Sequence, residues 1–382
     1  MAWDHQFIDP TGRVKPCCRF AEQYRPVEHN LKTNTLSGIF YSSWMDNIRS
    51  KMIAGETIPG CIRCYQEESA GKKSLRERYH DNADLPIDEL VDLSRPTIRW
   101  IELAISNDCN LACRMCDSRY AWKWFKEEIA FRGNAQNTSE HSKSDISNIF
   151  PFIDDLVHIK FTGGEPLITP DQWVLIDKLI KDRDCSNLLL NYSTNCTISP
   201  KPAWIEKWNK FKKVEFAISF DSCDPAESEY IRWPAKYSTT EKVAKEFLEL
   251  KKQSQFDVFL RSTISILNIW NMPETLLWWY NNDPSNSKVM NPTHLTYPSE
   301  LCVTVLLPEL KTAVTNRFTE FQKTCGIEKI NNHLEYIKQF MNSKDDSNLI
   351  PAFRKYIAHT DSYRNQNFVD SYPQFIRLVT DE

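Results

Sequence analysis

From about residue 98 onward, short segments of β-branched and aromatic residues alternate with amphipathic stretches of helical period, and this alternation constrains the fold most. The strand-like segments are Ile98 to Ile105, Val157 to Thr162, Leu188 to Ser193, Val214 to Phe220, Asp257 to Ile266 and Leu301 to Leu306. Helical stretches lie near 119–130, 171–182, 200–211, 240–254 and 273–281. Six strands in series with helical crossovers predict an α/β fold with a parallel sheet, either open and doubly wound or curled into a partial barrel. Ligands bind such sheets at the carboxyl ends of the strands. Four motifs fall there: Cys109-Asn-Leu-Ala-Cys113-Arg-Met-Cys116 after the first strand, Gly163-Gly164-Glu165-Pro166 after the second, Ser193-Thr194-Asn195 at the third and Ser219-Phe220-Asp221 at the fourth. The sequence thus predicts all four on one rim.

Outside the alternating region the pattern changes. Asp9-Pro10-Thr11-Gly12 is a turn signal between short apolar segments, which predicts a small hairpin. The acidic run Asp81 to Asp92 and Pro96 mark a boundary, Arg132 to Asn148 reads as a polar loop insertion, and the chain beyond Leu306 reads as helical with no motif. The expected organisation is therefore a small segment 1–95, an α/β core 96–306 and a helical extension 307–382.

Net charge is −4 over 382 residues, so electrostatics point to neither nucleic acid nor an anionic membrane as the main partner, and clusters such as Lys72-Lys73 read as solvated. No apolar run approaches the ~20 residues needed to span a bilayer, and the start is not a secretory signal. These observations predict a cytoplasmic chain. In that reducing setting the 12 cysteines do not suggest a disulfide framework, and seven of them fall into tight groups: Cys17-Cys18, Cys61-x-x-Cys64 and the triplet. Grouped cytosolic cysteines bind metal. The dispersed Cys185, Cys196, Cys223, Cys302 and Cys325 read as small buried apolar residues, with Cys223 a secondary candidate hydrogen donor.

Three thiolates at this spacing can take three corners of a [4Fe-4S] cluster and leave one iron open to a small chelating molecule, whereas a cluster that only carries electrons has thiolate on every iron. A zinc site with a fourth ligand from elsewhere is the alternative. No HExxH, phosphate-binding GxxxxGK[ST] or GxGxxG is present. His158 reads as a core residue, and Trp122 and Trp124 as shields of the cysteine loop.

The triplet after the first strand, the Gly-Gly-Glu-Pro after the second and the βα series together resemble the radical S-adenosylmethionine (SAM) enzymes, over roughly residues 96 to 300. The resemblance implies a partial (β/α)6 TIM-like barrel. It also implies a [4Fe-4S] cluster on Cys109, Cys113 and Cys116 whose open iron chelates SAM, reductive cleavage of SAM to a 5′-deoxyadenosyl radical, and abstraction of a substrate hydrogen. On the same basis Gly163, Gly164 and Glu165 bind the methionine amino group, Ser193, Thr194 and Asn195 contact SAM, and Ser219 and Arg232 lie near its ribose or carboxylate. For Ser219 and Asp221 a structural cap is an equal reading. An electron donor such as flavodoxin or ferredoxin is implied as partner. Two positions depart from the family pattern: Met115 stands where an aromatic residue usually precedes the third cysteine, and Cys196 where a glycine commonly follows Thr-Asn. If position 196 takes positive φ, cysteine there is strained.

The segment Asp9-x-x-Gly12-x-Val14-x-Pro16-Cys17, with Trp44, Arg49, Gly55-Glu56 and Pro59-Gly60-Cys61-x-x-Cys64, resembles the auxiliary-cluster modules called SPASM and, shortened, twitch. Those modules usually follow the barrel, whereas this one precedes it. Cys17, Cys18, Cys61 and Cys64 are the implied ligands of an auxiliary cluster, expected to be [4Fe-4S]. Adjacent cysteines diverge along an extended chain, so Cys17 and Cys18 on one cluster is geometrically awkward. A four-cysteine zinc clip is the alternative. The family resemblance favours a peptide or protein side chain as substrate, oxidation of a small metabolite or sugar being the alternative. The non-enzyme alternative is a zinc-stabilised α/β binding protein.

Overall fold

The computed structural model describes residues 1–69, 73–77, 96–283 and 293–380; Lys72 and the acidic run Asp81 to Asp92 lie outside them. The chain has the α/β fold expected, with a mostly parallel seven-stranded sheet that fits a partial barrel. Its strands are β1 (His5–Ile8), β2 (Val14–Lys15), β3 (Trp100–Ala104), β4 (His158–Thr162), β5 (Leu189–Thr194), β6 (Lys213–Ile218) and β7 (Phe256–Leu260), in the order β2-β1-β3-β4-β5-β6-β7. A separate two-stranded parallel sheet pairs β8 (Thr263–Ile264) with β9 (Thr293–His294). The helices that matter for the site are α1 (Ser43–Ile53), α2 (Ile62–Ser69), α3 (Trp124–Arg132), α4 (Pro170–Asp182), α5 (Pro202–Trp208), α6 (Pro225–Ile231), α7 (Tyr237–Leu250), α8 (Met272–Asn282), α9 (Pro308–Thr324), α10 (Glu328–Met341) and α11 (Ile350–Arg364).

The chain forms two compact units, each discontinuous in sequence: 1–108 with 141–192 and 206–214, and 109–140 with 193–205 and 215–382. In the first, the turn at Asp9 to Gly12 makes the expected hairpin of β1 and β2. Gly12 takes φ +84°, and the Asp9 carboxylate accepts from the Thr11 and Arg13 amides. The hairpin is not self-contained, because β1 pairs in parallel with β3, His5 opposite Trp100 and Ile8 opposite Leu103. Sequence patterning shows neither a partner nor a direction for a four-residue strand, so this extension of the sheet was not legible.

The strands β4 and β5 alternate strictly in burial. Ile159, Phe161, Leu190 and Tyr192 are buried, and the Trp208 indole of α5 donates to the Tyr192 hydroxyl at 3.2 Å. On the opposite face, Glu102, Lys160 and Asn191 lie in one cross-strand row. His158 stacks on Trp100 with ring centroids 4.4 Å apart, and burial pulls its pKa down to about 3. The polar face departs from the apolar pattern usual in parallel sheets.

The six-strand series needs correction at its end. Leu301 to Leu306 is two turns of 3-10 helix, Ser299–Leu301 and Val303–Val305, not a strand. A short apolar run between Pro298 and Pro308 suits a buried helical turn as well as a buried strand, and periodicity does not separate the two. The fifth segment is split into β7 and β8 because the Asp221 carboxylate takes the Thr263 amide at 2.9 Å.

The Cys61 turn is built on an aromatic nucleus: Phe20 and His29 each meet Trp44 edge-on, at 5.5 and 4.8 Å. Gly60 lies so close to Phe20 that a Cβ there would fall 2.1 Å from the ring. Gly60→Ala is therefore expected to cost about 1–3 kcal/mol, read as a lower urea midpoint with unchanged slope. An unaltered midpoint would show that Phe20 yields freely.

Candidate functional site

In the first unit the chain leaves β3 at Ala104 and runs to Asp108, the residue before the first cysteine of the triplet. The Gly163-Gly164-Glu165 turn packs directly on this segment. The Gly164 amide donates to the Ser106 carbonyl at 2.9 Å and the Glu165 amide to the Asp108 carbonyl at 2.8 Å. A Cβ at Gly164 would sit 2.1 Å from that same Asp108 oxygen, and Gly163, at φ +107°, has Ala104 and the Ser106 carbonyl at 3.0 Å from its missing Cβ. The glycines are thus demanded by backbone approach to the chain entering the cysteine loop. The buried Glu165 carboxylate accepts from the Leu167 amide at 3.1 Å and opens the 3-10 turn begun by Pro166.

In the second unit, the amide of Cys116 returns to the carbonyl of Cys113 at 2.9 Å, making a tight turn between these two ligand candidates. Two side chains point N–H groups at sulfur. Asn195 Nδ2 lies 3.7 Å from Cys109 Sγ and also donates to Asn110 at 2.8 Å; Arg232 Nη1 lies 3.7 Å from Cys113 Sγ. Arg232 is held by a buried ion pair with Asp221 at 2.6 Å. The Trp124 indole donates to the Cys113 carbonyl at 2.9 Å, and Trp124 is buried, so it does cover the loop. Burial pushes the Cys113 thiol up, with Arg232 acting the other way. It pushes the Cys116 thiol well up too, followed by Asp117 and the neighbouring thiols of Cys113 and Cys109.

Ser219 enters through its backbone, its amide donating to the Thr194 carbonyl at 2.9 Å. Ser193 meets Arg261, whose Nη1 lies 3.3 Å from the Ser193 hydroxyl. Cys196 takes φ +61° while fully buried, a left-handed conformation that costs a non-glycine residue about 1–2 kcal/mol. Cys223 is held by its own amide on the Thr275 hydroxyl at 3.1 Å. Arg261 was not marked in the sequence, since a polar residue at a strand end is ordinary; Asp221, part of the Ser219-Phe220-Asp221 motif, gains its ion pair with Arg232 and the Thr263 amide.

At the amino-terminal group the adjacent cysteines part company. The Cys17 thiol is pushed up to about 11 by burial, with the Cys64 thiol also raising it. Cys61 is pushed up to about 12 by burial and by Cys17 and Cys64. Cys17, Cys61 and Cys64 are thus electrostatically coupled. The Cys18 thiol is raised by burial and by the nearby Glu102 carboxylate, with Cys17 also raising it. Burial works against ionisation of Glu102, and Lys160 at 2.5 Å outweighs it and holds the carboxyl at about 2.

All described cysteines are free thiols. Among the described residues no three His, Cys, Asp or Glu side chains meet in ready metal-holding geometry. The fit to an iron-sulfur cluster rests on donor chemistry: the thiols of Cys109, Cys113 and Cys116 on one loop, and N–H donors directed at two of their sulfurs, the kind of hydrogen bond that stabilises cluster thiolates. No helix among the described residues is long and apolar enough to cross a membrane.

Comparison with known proteins bears on the same residues. A radical SAM cyclopropyl synthase, TigE, of Paramaledivibacter caminithermalis is 26% identical over 215 residues, 53% of this chain and 42% of the relative. The match thus takes in less than half of that relative's length. Among solved structures, anSMEcpe with bound AdoMet is similar at 15% identity and TM-score 0.41, over 65% of this chain and 61% of that one. Streptococcus suis SuiB bound to its precursor peptide SuiA is similar at 14% identity and TM-score 0.36, over 83% and 64%. The family model described as the radical SAM superfamily matches residues 103–276, a span that holds the cysteine triplet, the Gly-Gly-Glu-Pro turn and Arg232.

Proposed function

We propose that the chain is a radical SAM enzyme that abstracts a hydrogen atom from an unactivated carbon, with a peptide or protein side chain as substrate. The observation that carries this reading is the pair of N–H donors, from Asn195 and Arg232, aimed at the sulfurs of Cys109 and Cys113. When bound on Cys109, Cys113 and Cys116, a [4Fe-4S] cluster supplies the electron that cleaves SAM and so starts the radical reaction. The protein's own part is to hold those thiolates, to place the Arg232 charge beside Cys113, and to exclude water with Trp124. Deprotonating buried thiols is unfavourable, so loading of the cluster is the step that fixes them as thiolates.

Gly163, Gly164 and Glu165 set the entry to the cysteine loop and, by family analogy, the methionine end of SAM; Ser193, Thr194, Asn195, Ser219 and Arg232 serve the remainder of it. Residues 1–95 are read as a twitch-like module in which Cys17, Cys61 and Cys64 hold the auxiliary cluster, residues 96–306 as the core and 307–382 as the extension. With Cys18 engaged by Glu102, one iron of that cluster stays open for substrate or a further ligand. The cyclopropyl synthesis named for TigE is carbon-centred chemistry of the class proposed here. A flavodoxin or ferredoxin in the cytoplasm is the proposed reductant.

Anaerobic purification should yield about eight irons per chain. Cys113→Ala should lose about four of them and all SAM cleavage, whereas Cys18→Ala should keep the full complement. Colourless wild-type protein containing zinc would overturn the reading, and loss of the auxiliary irons in Cys18→Ala would restore a four-cysteine site. Gly164→Ala must displace the Asp108 carbonyl. Its expected effect is a drop in SAM cleavage of at least tenfold, about 1.4 kcal/mol in the barrier, while the auxiliary irons are retained. Unchanged cleavage would show that the entry segment tolerates the shift.

A further inference from the structure

The helical extension, which carries no motif, makes the densest set of polar contacts to the cysteine loop in the second unit. Arg114, the residue following Cys113 inside the motif, is fully buried. Its guanidinium lies 3.6 Å from the Tyr230 ring centroid and donates through Nε to the Tyr230 carbonyl at 3.1 Å. Its remaining donors go to the end of α11 and the turn after it: the Thr360 hydroxyl, Asp361 Oδ1 at 2.7 Å and Gln366 Oε1 at 3.0 Å. The Arg114 carbonyl accepts from the Tyr356 hydroxyl of α11 at 2.5 Å. One turn further along, Arg364 makes a fully buried ion pair with Glu127 of α3 at 3.0 Å and lies 4.5 Å from the ring of Trp124, the residue whose indole holds the Cys113 carbonyl.

Asp361 joins these contacts. Its Oδ1 also accepts from the Tyr230 hydroxyl at 2.7 Å, and its Oδ2 accepts from the Phe368 amide at 2.7 Å, where the chain restarts after α11. A bidentate carboxylate of this kind fixes direction as well as distance, because each oxygen is committed to different partners. The neighbouring backbone is bound as well, with the Ala112 amide on the Trp233 carbonyl at 2.8 Å and the Arg114 amide on the Ile231 carbonyl at 2.9 Å. The motif segment from Ala112 to Arg114 is thus held by the end of α6 and the chain after it on its amides, and by α11 and the turn after it, with Tyr230, on its side chain and carbonyl.

We infer that α11 is a clamp on the cluster-binding loop, and that Arg114 and Asp361 are positioning residues that hold Cys113 and Cys116 in their ligating arrangement. This rests on the proposed SAM cluster. A loop so held presents its thiolates already arranged and resists the opening through which oxygen reaches a cluster. A guanidinium fork is needed because lysine, with one nitrogen, does not serve Thr360, Asp361, Gln366 and the Tyr230 carbonyl together.

The test uses the full chain with Cys17, Cys61 and Cys64 replaced by alanine, so that one cluster remains. The readouts are iron content, the electron paramagnetic resonance signal of the reduced cluster with and without SAM, and the rate of bleaching in air. Arg114→Gln and Asp361→Ala are each expected to bleach at least about threefold faster than the parent and to broaden the signal. The double variant should be no worse than the poorer single one, because both lose the same contact, and Arg114→Lys should not rescue. Asp361→Asn keeps an acceptor oxygen and should fall between Asp361→Ala and the parent, which preserves the test if the alanine variant fails to fold. Bleaching and signal equal to the parent in folded Arg114→Gln and Asp361→Asn, or fully additive effects in the double variant, would overturn the clamp alone. A parent that holds no iron would overturn the cluster reading and the clamp with it.

Discussion

The Asp108 carbonyl is the constraint on which the cysteine loop depends. It accepts the Glu165 amide while Gly164 lies against it with no side chain between, so the end of β3 and the turn after β4 are fastened backbone to backbone. The first ligand candidate, Cys109, is the next residue along. Any side chain at position 164 would have to move that carbonyl.

Beyond that entry, the loop is fixed by charges removed from water. Arg232 with Asp221 and Arg364 with Glu127 are buried ion pairs. Such pairs add little net stability over apolar packing, but removing one partner costs about 3–5 kcal/mol because the other charge is left without compensation. Their value is direction. Arg232 reaches Cys113 sulfur on one side, and Arg364 backs the tryptophan that holds Cys113 oxygen on the other. A cluster bound here would carry negative charge on its thiolates, and Arg232 already lies beside the Cys113 sulfur.

Strands with strong period-two or β-branched character were legible in the sequence, and β3 to β7 begin within two residues of their expected positions. The motif residues at their ends were legible for the same reason, since a strand end is a place that patterning can locate. What was not legible depends on long-range partners. The pairing of β1 with β3 joins residues about 95 apart through backbone alone, the 3-10 turns at Leu301 to Leu306 are decided by burial, and Arg364 gains its role only when α11 reaches the cysteine loop. Arg114 carries a local signal: a charged residue between Cys113 and Met115 has to be either exposed or fully partnered, and it is buried.

The amino-terminal group shows how a one-residue step separates two chemistries. Cys17 and Cys18 lie in the turn that follows β2; the Cys17 thiol is coupled to Cys64, whereas Cys18 feels the Glu102 carboxylate of the polar row. There Cys18 meets Glu102, which Lys160 keeps ionised. A thiol beside a held carboxylate is disfavoured as thiolate, and the thiolate is the form an iron ligand requires. The module that carries the group adds a strand beside β3, the strand that leads into the cysteine triplet.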